Sequence, residues 1–212
     1  MYVKICGLRD AATARHAVAS GADALGVVMS ARSPRNAGVG EAAEVVAEAR
    51  HGGIDAVLVV DAMPAVRAAE TALRLGFEVL QLHGDYDAAD FAAAQRILPR
   101  VWRAASLARD PGLRAGDRGE ERLLLDGAVP GSGAGWDLSP LAPGTALRAR
   151  IGEGWVLAGG LDARNVADRV RAVMPWGVDV SSGVEREPGL KDPALIERFI
   201  VAARGAAGTE ER

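Results

Sequence analysis

Cys6 is the only cysteine in the chain, and it closes an apolar run, Val3-Lys4-Ile5-Cys6-Gly7, where a first β-strand should end. A lone thiol is often no more than a small buried hydrophobe. Here, however, Gly7 follows it and Leu8-Arg9-Asp10 opens an Ala-rich helical stretch, so the thiol falls at a strand-to-helix turn. Turns of that kind form the active rim of α/β barrels. A second candidate, Asp126, ends another apolar run, Leu123-Leu124-Leu125. A thiol and a carboxylate on two strand ends make an acid/base pair.

Composition narrows the classes. The chain has 212 residues, 49% of them hydrophobic and 25% charged, enough for one substantial core. A net charge of -3 leaves no electrostatic footprint for nucleic acid. No apolar run approaches the roughly 18 to 20 residues that cross a bilayer, and the first residues lack the pattern of a signal peptide. His16, His51, His83 and Cys6 show no metal-ligand spacing, so no metal is expected. A single cysteine cannot form an internal disulfide, which points to the cytoplasm.

The elements that must position the thiol and the carboxylate alternate along the chain. Strand-like runs fall at 2–6, 24–29, 56–61, 79–83, 101–106, 122–126, 155–158 and 178–181, each bounded by Gly, Asp or Pro. Helical patterns occupy 10–20, 41–51, 64–75, 88–98, 162–173 and 193–204. The repeat of about 26 residues is near the lower limit for an α/β, single-domain (β/α)8 TIM barrel. Residues 107–121 carry Pro111, Gly112, Gly116 and Gly119, so the fifth helix should be missing or rudimentary. Pro140, Pro143 and Gly144 predict a short or late sixth helix. The barrel is expected over residues 1–204, with 205–212 as a frayed C-terminal tail. A Rossmann-type sheet would want G-x-G-x-x-G after its first strand, and Cys6-Gly7-Leu8-Arg9-Asp10 does not supply it.

Side chains alternate along a strand. Val3 and Ile5 must face the helices, which turns Lys4 and Cys6 into the barrel. The same reasoning turns in Asp179 and Ser181 on the eighth strand, Gln81 and His83 on the fourth, and Leu124 and Asp126 on the sixth. The first and eighth strands are neighbours in a closed barrel, so Lys4 and Asp179 can pair below the rim; a substrate hydroxyl is the alternative partner for Asp179. Together these polar residues describe a site.

Four loops carry recognition chemistry. Gly159-Gly160 follows the seventh strand, and Ser181-Ser182-Gly183 follows the eighth with room for a helical turn. Adjacent loops of small residues at these strand ends suit a phosphate. Arg32 and Arg35 follow the second strand, and Arg35 suits a bidentate contact with a carboxylate. The run 130–137, rich in glycine and ending in Trp136-Asp137, suits a loop that closes over a substrate.

These blocks resemble the phosphoribosylanthranilate isomerases of tryptophan biosynthesis. The likeness runs through Lys4-Ile5-Cys6-Gly7-Leu8, Ser33-Pro34-Arg35, Gln81-Leu82-His83-Gly84, Leu124-Leu125-Asp126, Gly131-Ser132-Gly133, Ala158-Gly159-Gly160-Leu161 and Val178–Glu185, in order over nearly the whole chain. It implies an Amadori rearrangement of a phosphoribosyl anthranilate, with Cys6 as general base, Asp126 as general acid and Arg35 on the anthranilate carboxylate. The two glycine loops become the phosphate cradle, with His83 and Asp179 among the substrate contacts. Cys6 should be assisted toward the thiolate and Asp126 raised by desolvation. No metal, nucleotide or flavin is required, and the partner implied is a small phosphorylated substrate; oligomeric state is left open. Ala134-Gly135-Trp136 departs from the family's usual Lys, Thr and Phe, which bears on loop closure. The rivals are a histidine-pathway or bifunctional sugar isomerase, which normally carries a carboxylate where Cys6 stands, and a phosphate-binding barrel without catalysis, which needs neither Cys6 nor Asp126.

Overall fold

A computed structural model describes residues 1–127 and 136–207, and the glycine-rich run 130–135 therefore lies outside the described residues. Eight parallel strands close into a barrel in sequence order: β1 (Tyr2–Cys6), β2 (Ala24–Val28), β3 (Asp55–Val60), β4 (Val79–His83), β5 (Val101–Ser106), β6 (Arg122–Asp126), β7 (Val156–Leu157) and β8 (Gly177–Val180). Helices α1 (Ala11–Ala19), α2 (Val39–Gly52), α3 (Ala65–Leu75), α4 (Ala88–Gln95), α5 (Ala146–Ile151), α6 (Val166–Val173) and α7 (Pro193–Ala207) surround it. None of the helices among the described residues is long and apolar enough to cross a membrane.

No helix joins β5 to β6. The turns at Gly116 and Gly119 have φ of 82° and 75°, which break a helical path, and the Glu120 carboxylate accepts from the N–H groups of Gly116 and Arg118 to hold the loop instead. Leu113 is fully buried and fills the space a helix face would cover. Before β7 the chain makes a single 3-10 turn at Ser139–Leu141 and then the six-residue α5.

Several boundaries differ from the sequence expectation by a few residues. Helix α6 begins at Val166 rather than at residue 162, because the Asp162 carboxylate accepts from the N–H groups of Arg164 and Asn165 and stabilises a local turn. Strand β7 shrinks to two residues as the chain turns at Gly159, whose φ is 84°. The last helix runs to Ala207, past the expected start of the tail at residue 205. A hairpin of β9 (Glu185–Glu187) and β10 (Leu190–Lys191) adds to the expected elements; it turns on Pro188-Gly189 and folds over the end of β8.

The alternation holds. Val57, Val59, Val79, Trp102, Leu124 and Val156 pack inside the barrel with Cys6, while Val3, Ile5, Leu58, Leu80, Leu82 and Val178 join the layer beneath the helices. Trp102 is fully buried, and Tyr2 stacks on Trp176 at 4.5 Å at the same end of the strands. In the β1–β8 seam Lys4 pairs in register with Asp179, and its ammonium donates to Asp179 Oδ1 at 2.8 Å with no exposure of Lys4.

Removing one partner of a buried pair costs about 3 to 5 kcal/mol, whereas replacing both by apolar groups is often neutral. In urea unfolding, Lys4→Met and Asp179→Leu should each be strongly destabilised, and the double variant should recover most of the loss. Additive losses would show that the pair contributes nothing as a pair.

Candidate active site

A cavity of about 890 Å3 opens at the C-terminal ends of the strands. Its wall includes Cys6 from β1, Arg35 from the loop after β2, Gln81 and His83 from β4, Asp126 from β6, Asp179 from β8, and Ser181 and Ser182 just beyond. Seven of the residues singled out from the sequence thus meet in one place: Cys6, Arg35, His83, Asp126, Asp179, Ser181 and Ser182. Gly159, Gly160 and Gly183 do not line this cavity; they form the loops beside it.

Gly159 and Gly183 are fixed by close approach. A Cβ on Gly183 would fall 1.9 Å from the Leu161 carbonyl oxygen, so only glycine lets the loop after β8 meet the loop after β7. A Cβ on Gly159 would stand 2.6 Å from Asp126 Oδ1 and 2.8 Å from Trp136 Nε1, so Gly159 also leaves room for the carboxyl group. The N–H groups of Gly159 and Gly160 make no hydrogen bond among the described residues. Trp136 donates to the Ala158 carbonyl at 3.0 Å and lies against Gly127.

Asp126 is 9% exposed, and Oδ1 accepts from the Gly127 N–H at 2.7 Å. Burial is the largest influence on this carboxyl; with Asp179 close by, it outweighs the Gly127 hydrogen bond and Lys4 and raises the pKa to about 6. The expected rise is therefore present. Cys6 behaves differently from expectation. Burial dominates and pushes its thiol above the ordinary range, with Lys4 and Lys191 pulling down and Asp179 pushing up. Assistance toward the thiolate exists, but desolvation exceeds it. Burial also lowers His83, so its imidazole is neutral at physiological pH. For Lys4, Asp179 and the Cys6 sulfur overcome the effect of burial and hold the ammonium above its usual value.

Arg35 is buried rather than a surface arginine. Its Nε and Nη2 donate to Glu185 at 2.7 and 2.8 Å, side-on and bidentate, while its Nη1 makes no hydrogen bond among the described residues. Arg32, by contrast, is exposed and pairs with Asp61 at 3.0 Å. Glu185 also accepts from Lys191 Nζ at 2.7 Å. Residue type alone gives neither Glu185 nor Lys191 a role. The Pro188-Gly189 pair between them is a hairpin signal, and it would have brought the two side chains together. Among the described residues no cluster of His, Cys, Asp or Glu is arranged to hold a metal ion.

The same arrangement of strands and loops recurs in known proteins. The family model for N-(5'-phosphoribosyl)anthranilate (PRA) isomerase matches residues 3–202. The chain belongs to this isomerase family. Its activity is accordingly the aldose–ketose isomerisation of N-(5'-phosphoribosyl)anthranilate. The isomerase of Granulibacter bethesdensis is 39% identical, covering 96% of this chain and 98% of its own. The isomerase of Herminiimonas arsenicoxydans is 38% identical, with 96% and 93% covered. Among solved structures, TrpF from Jonesia denitrificans superposes with a TM-score of 0.84 at 45% identity, covering 98% of both chains. A phosphoribosyl anthranilate isomerase in complex with reduced 1-(o-carboxyphenylamino)-1-deoxyribulose 5-phosphate gives 0.82 at 33%, with 97% of this chain and 99% of that one covered.

The raised carboxyl has a consequence for stability. A folded value near 6 lies above the ordinary one, so the folded state keeps this proton while the unfolded state gives it up. Burying Asp126 therefore costs nothing below about pH 4, and the penalty grows until pH passes the folded value. Asp126→Asn should match the parent in denaturant unfolding at low pH and exceed it at neutral pH by roughly 2 to 3 kcal/mol. An equal difference at both pH values would contradict the raised value.

Proposed function

We propose that Cys6 is the general base and Asp126 the general acid for the family's isomerisation in this cavity. The supporting observation is that the chain's one thiol and a carboxyl raised to about 6 line the same cavity from the ends of β1 and β6. The protonated Asp126 donates to the ribose ring oxygen as the ring C1–O bond breaks and the anilino nitrogen becomes an iminium. The Cys6 thiolate then takes the proton from C2, and that electron pair forms the C1=C2 bond and neutralises the nitrogen. The resulting enolamine loses its 2-hydroxyl proton and gains one at C1, giving 1-(2-carboxyphenylamino)-1-deoxyribulose 5-phosphate.

The remaining roles follow from chemistry. The Nη1 edge of Arg35 is the one that can take the substrate's carboxylate while Glu185 keeps the other edge. The N–H groups of Gly159 and Gly160, with Ser181, Ser182 and Gly183, take the phosphate. Asp179 spends Oδ1 on Lys4 and offers Oδ2 to a sugar hydroxyl, and neutral His83 lines the same wall. The complexed relative, whose ligand carries both a carboxylate and a phosphate, supports this division. The substrate is thus small and phosphorylated, and the single thiol suits a cytoplasmic enzyme.

Both groups are raised, and the base lies above the acid. The productive pairing, thiolate with protonated carboxyl, is then a minor form whose population stays level between the two titrations. kcat/KM should fall below about pH 6, because further acid removes thiolate and no longer adds protonated Asp126. It should fall again only above the Cys6 titration, where no further thiolate is gained. Cys6→Ser should lose several orders of magnitude in kcat with little change in product binding, since a hydroxyl is far harder to ionise. A Ser variant with near-parental turnover would remove Cys6 from the mechanism.

A further inference from the structure

At the mouth of the cavity, Arg35, Glu185 and Lys191 form a cluster of two cations and one carboxylate, closely packed and nearly dry: the side chains are 10%, 4% and 3% exposed. The Lys191 ammonium donates to the Ser181 carbonyl at 2.9 Å, to Ser181 Oγ at 3.1 Å and to Glu185 Oε1 at 2.7 Å. Ser181 Oγ in turn donates to the Cys6 carbonyl at 3.1 Å. A Cβ on Gly7, the residue after Cys6, would stand 2.7 Å from Arg35 Cδ and 3.3 Å from Lys191 Nζ. The cluster is thus pressed against the turn that carries the thiol, and its charges do not cancel. A buried charge without a counter-ion is costly and calls for one.

We propose that Lys191 is a positioning residue for the isomerisation: its ammonium leaves the Arg35–Glu185–Lys191 cluster one positive charge in excess beside Cys6, and that excess favours the thiolate. The inference rests on the reading of Cys6 as the base. The other charged groups facing the thiol do not supply this excess. Lys4, beneath it on β1, is already neutralised by Asp179 on β8. His83 on β4 is neutral, and Asp126 on β6 can add only negative charge. Burial, with Arg35 nearby, leaves Lys191 below the ordinary lysine value although Glu185 and the Cys6 sulfur oppose it, and the three acceptors around Nζ are matched by the three hydrogens of the ammonium form. The Glu185 carboxylate is held ionised against its burial by Arg35 and Lys191. Arg35 and Lys191 are therefore both required to outnumber Glu185.

The pH dependence of Cys6 alkylation tests this. Iodoacetamide is neutral, so its approach is not steered by charge, and the chain's single cysteine makes intact-protein mass spectrometry unambiguous. In the full-length protein, Lys191→Gln should move the midpoint of the alkylation profile up by about one pH unit. The reaction at neutral pH should then slow about tenfold, because only a tenth as much thiolate is present. Glu185→Gln should move the midpoint down and speed the reaction by a similar factor. Lys191→Arg should keep the parental rate within about threefold. The opposite signs separate charge from damage, because a loosened fold moves both Gln variants toward the free-thiol value near 8.5, in the same direction. Midpoints that move together, or a Lys191→Gln profile identical to the parent's, would overturn the proposal. Should Cys6→Ser remain dead while the midpoints fail to move, the base stands and Lys191 loses its role. A fully active Cys6→Ser removes the base itself.

Discussion

The Lys4–Asp179 ion pair is the constraint around which the catalytic end is arranged. It lies in register across the seam where the first and last strands meet, so closing the barrel and neutralising the buried ammonium are one event. Each partner also acts on the chemistry above it. Lys4 draws down both Cys6 and Asp126, while Asp179 raises both. A paired charge of this kind sets a polar floor without deciding which proton leaves first. Burial raises the thiol and the carboxyl in the same direction, so the carboxyl, intrinsically the far stronger acid, still ionises first.

Above this floor the mouth is assembled by close approach of backbones. Gly183 lets the loop after β8 touch the Leu161 carbonyl, and Gly189 lets the hairpin turn touch the Pro34 carbonyl, where an added Cβ would stand 2.6 Å away. That second contact carries Glu185 and Lys191 over to the Arg35 loop. The Arg35 guanidinium is therefore oriented by a protein carboxylate on one edge, which, in the role proposed for it, limits the reorganisation needed when substrate arrives.

Much of this was legible in residue types. Period-two alternation around Lys4 and Cys6, around Asp179, and around Gln81 and His83 placed every one of these side chains inside the barrel, because their apolar neighbours could face only the helices. The Pro and Gly content of residues 107–121 was enough to remove the fifth helix. What escaped depended on neighbours remote in sequence or on local turns. Asp162 reads as a helix residue until its carboxylate is seen to cap a turn through Arg164 and Asn165. Arg35 reads as a free guanidinium until Glu185, 150 positions later, is seen to hold it. Cys6 is expected to be assisted toward the thiolate, but the depth of burial that outweighs any assistance is a property of the closed barrel alone. The family relationship supplies the reaction; the packing raises both titrations and keeps their intrinsic order.

That order is the central claim, and direct titration of the two groups tests it. Carbon-13 NMR of the free enzyme, with label in the aspartate carboxyls and the cysteine Cβ and assignments from Asp126→Asn and Cys6→Ser, follows each group separately. The account predicts that Asp126 titrates near 6 and that Cys6 remains a thiol well beyond it, titrating above the ordinary thiol value. A Cys6 that ionises before Asp126 loses its proton would contradict it.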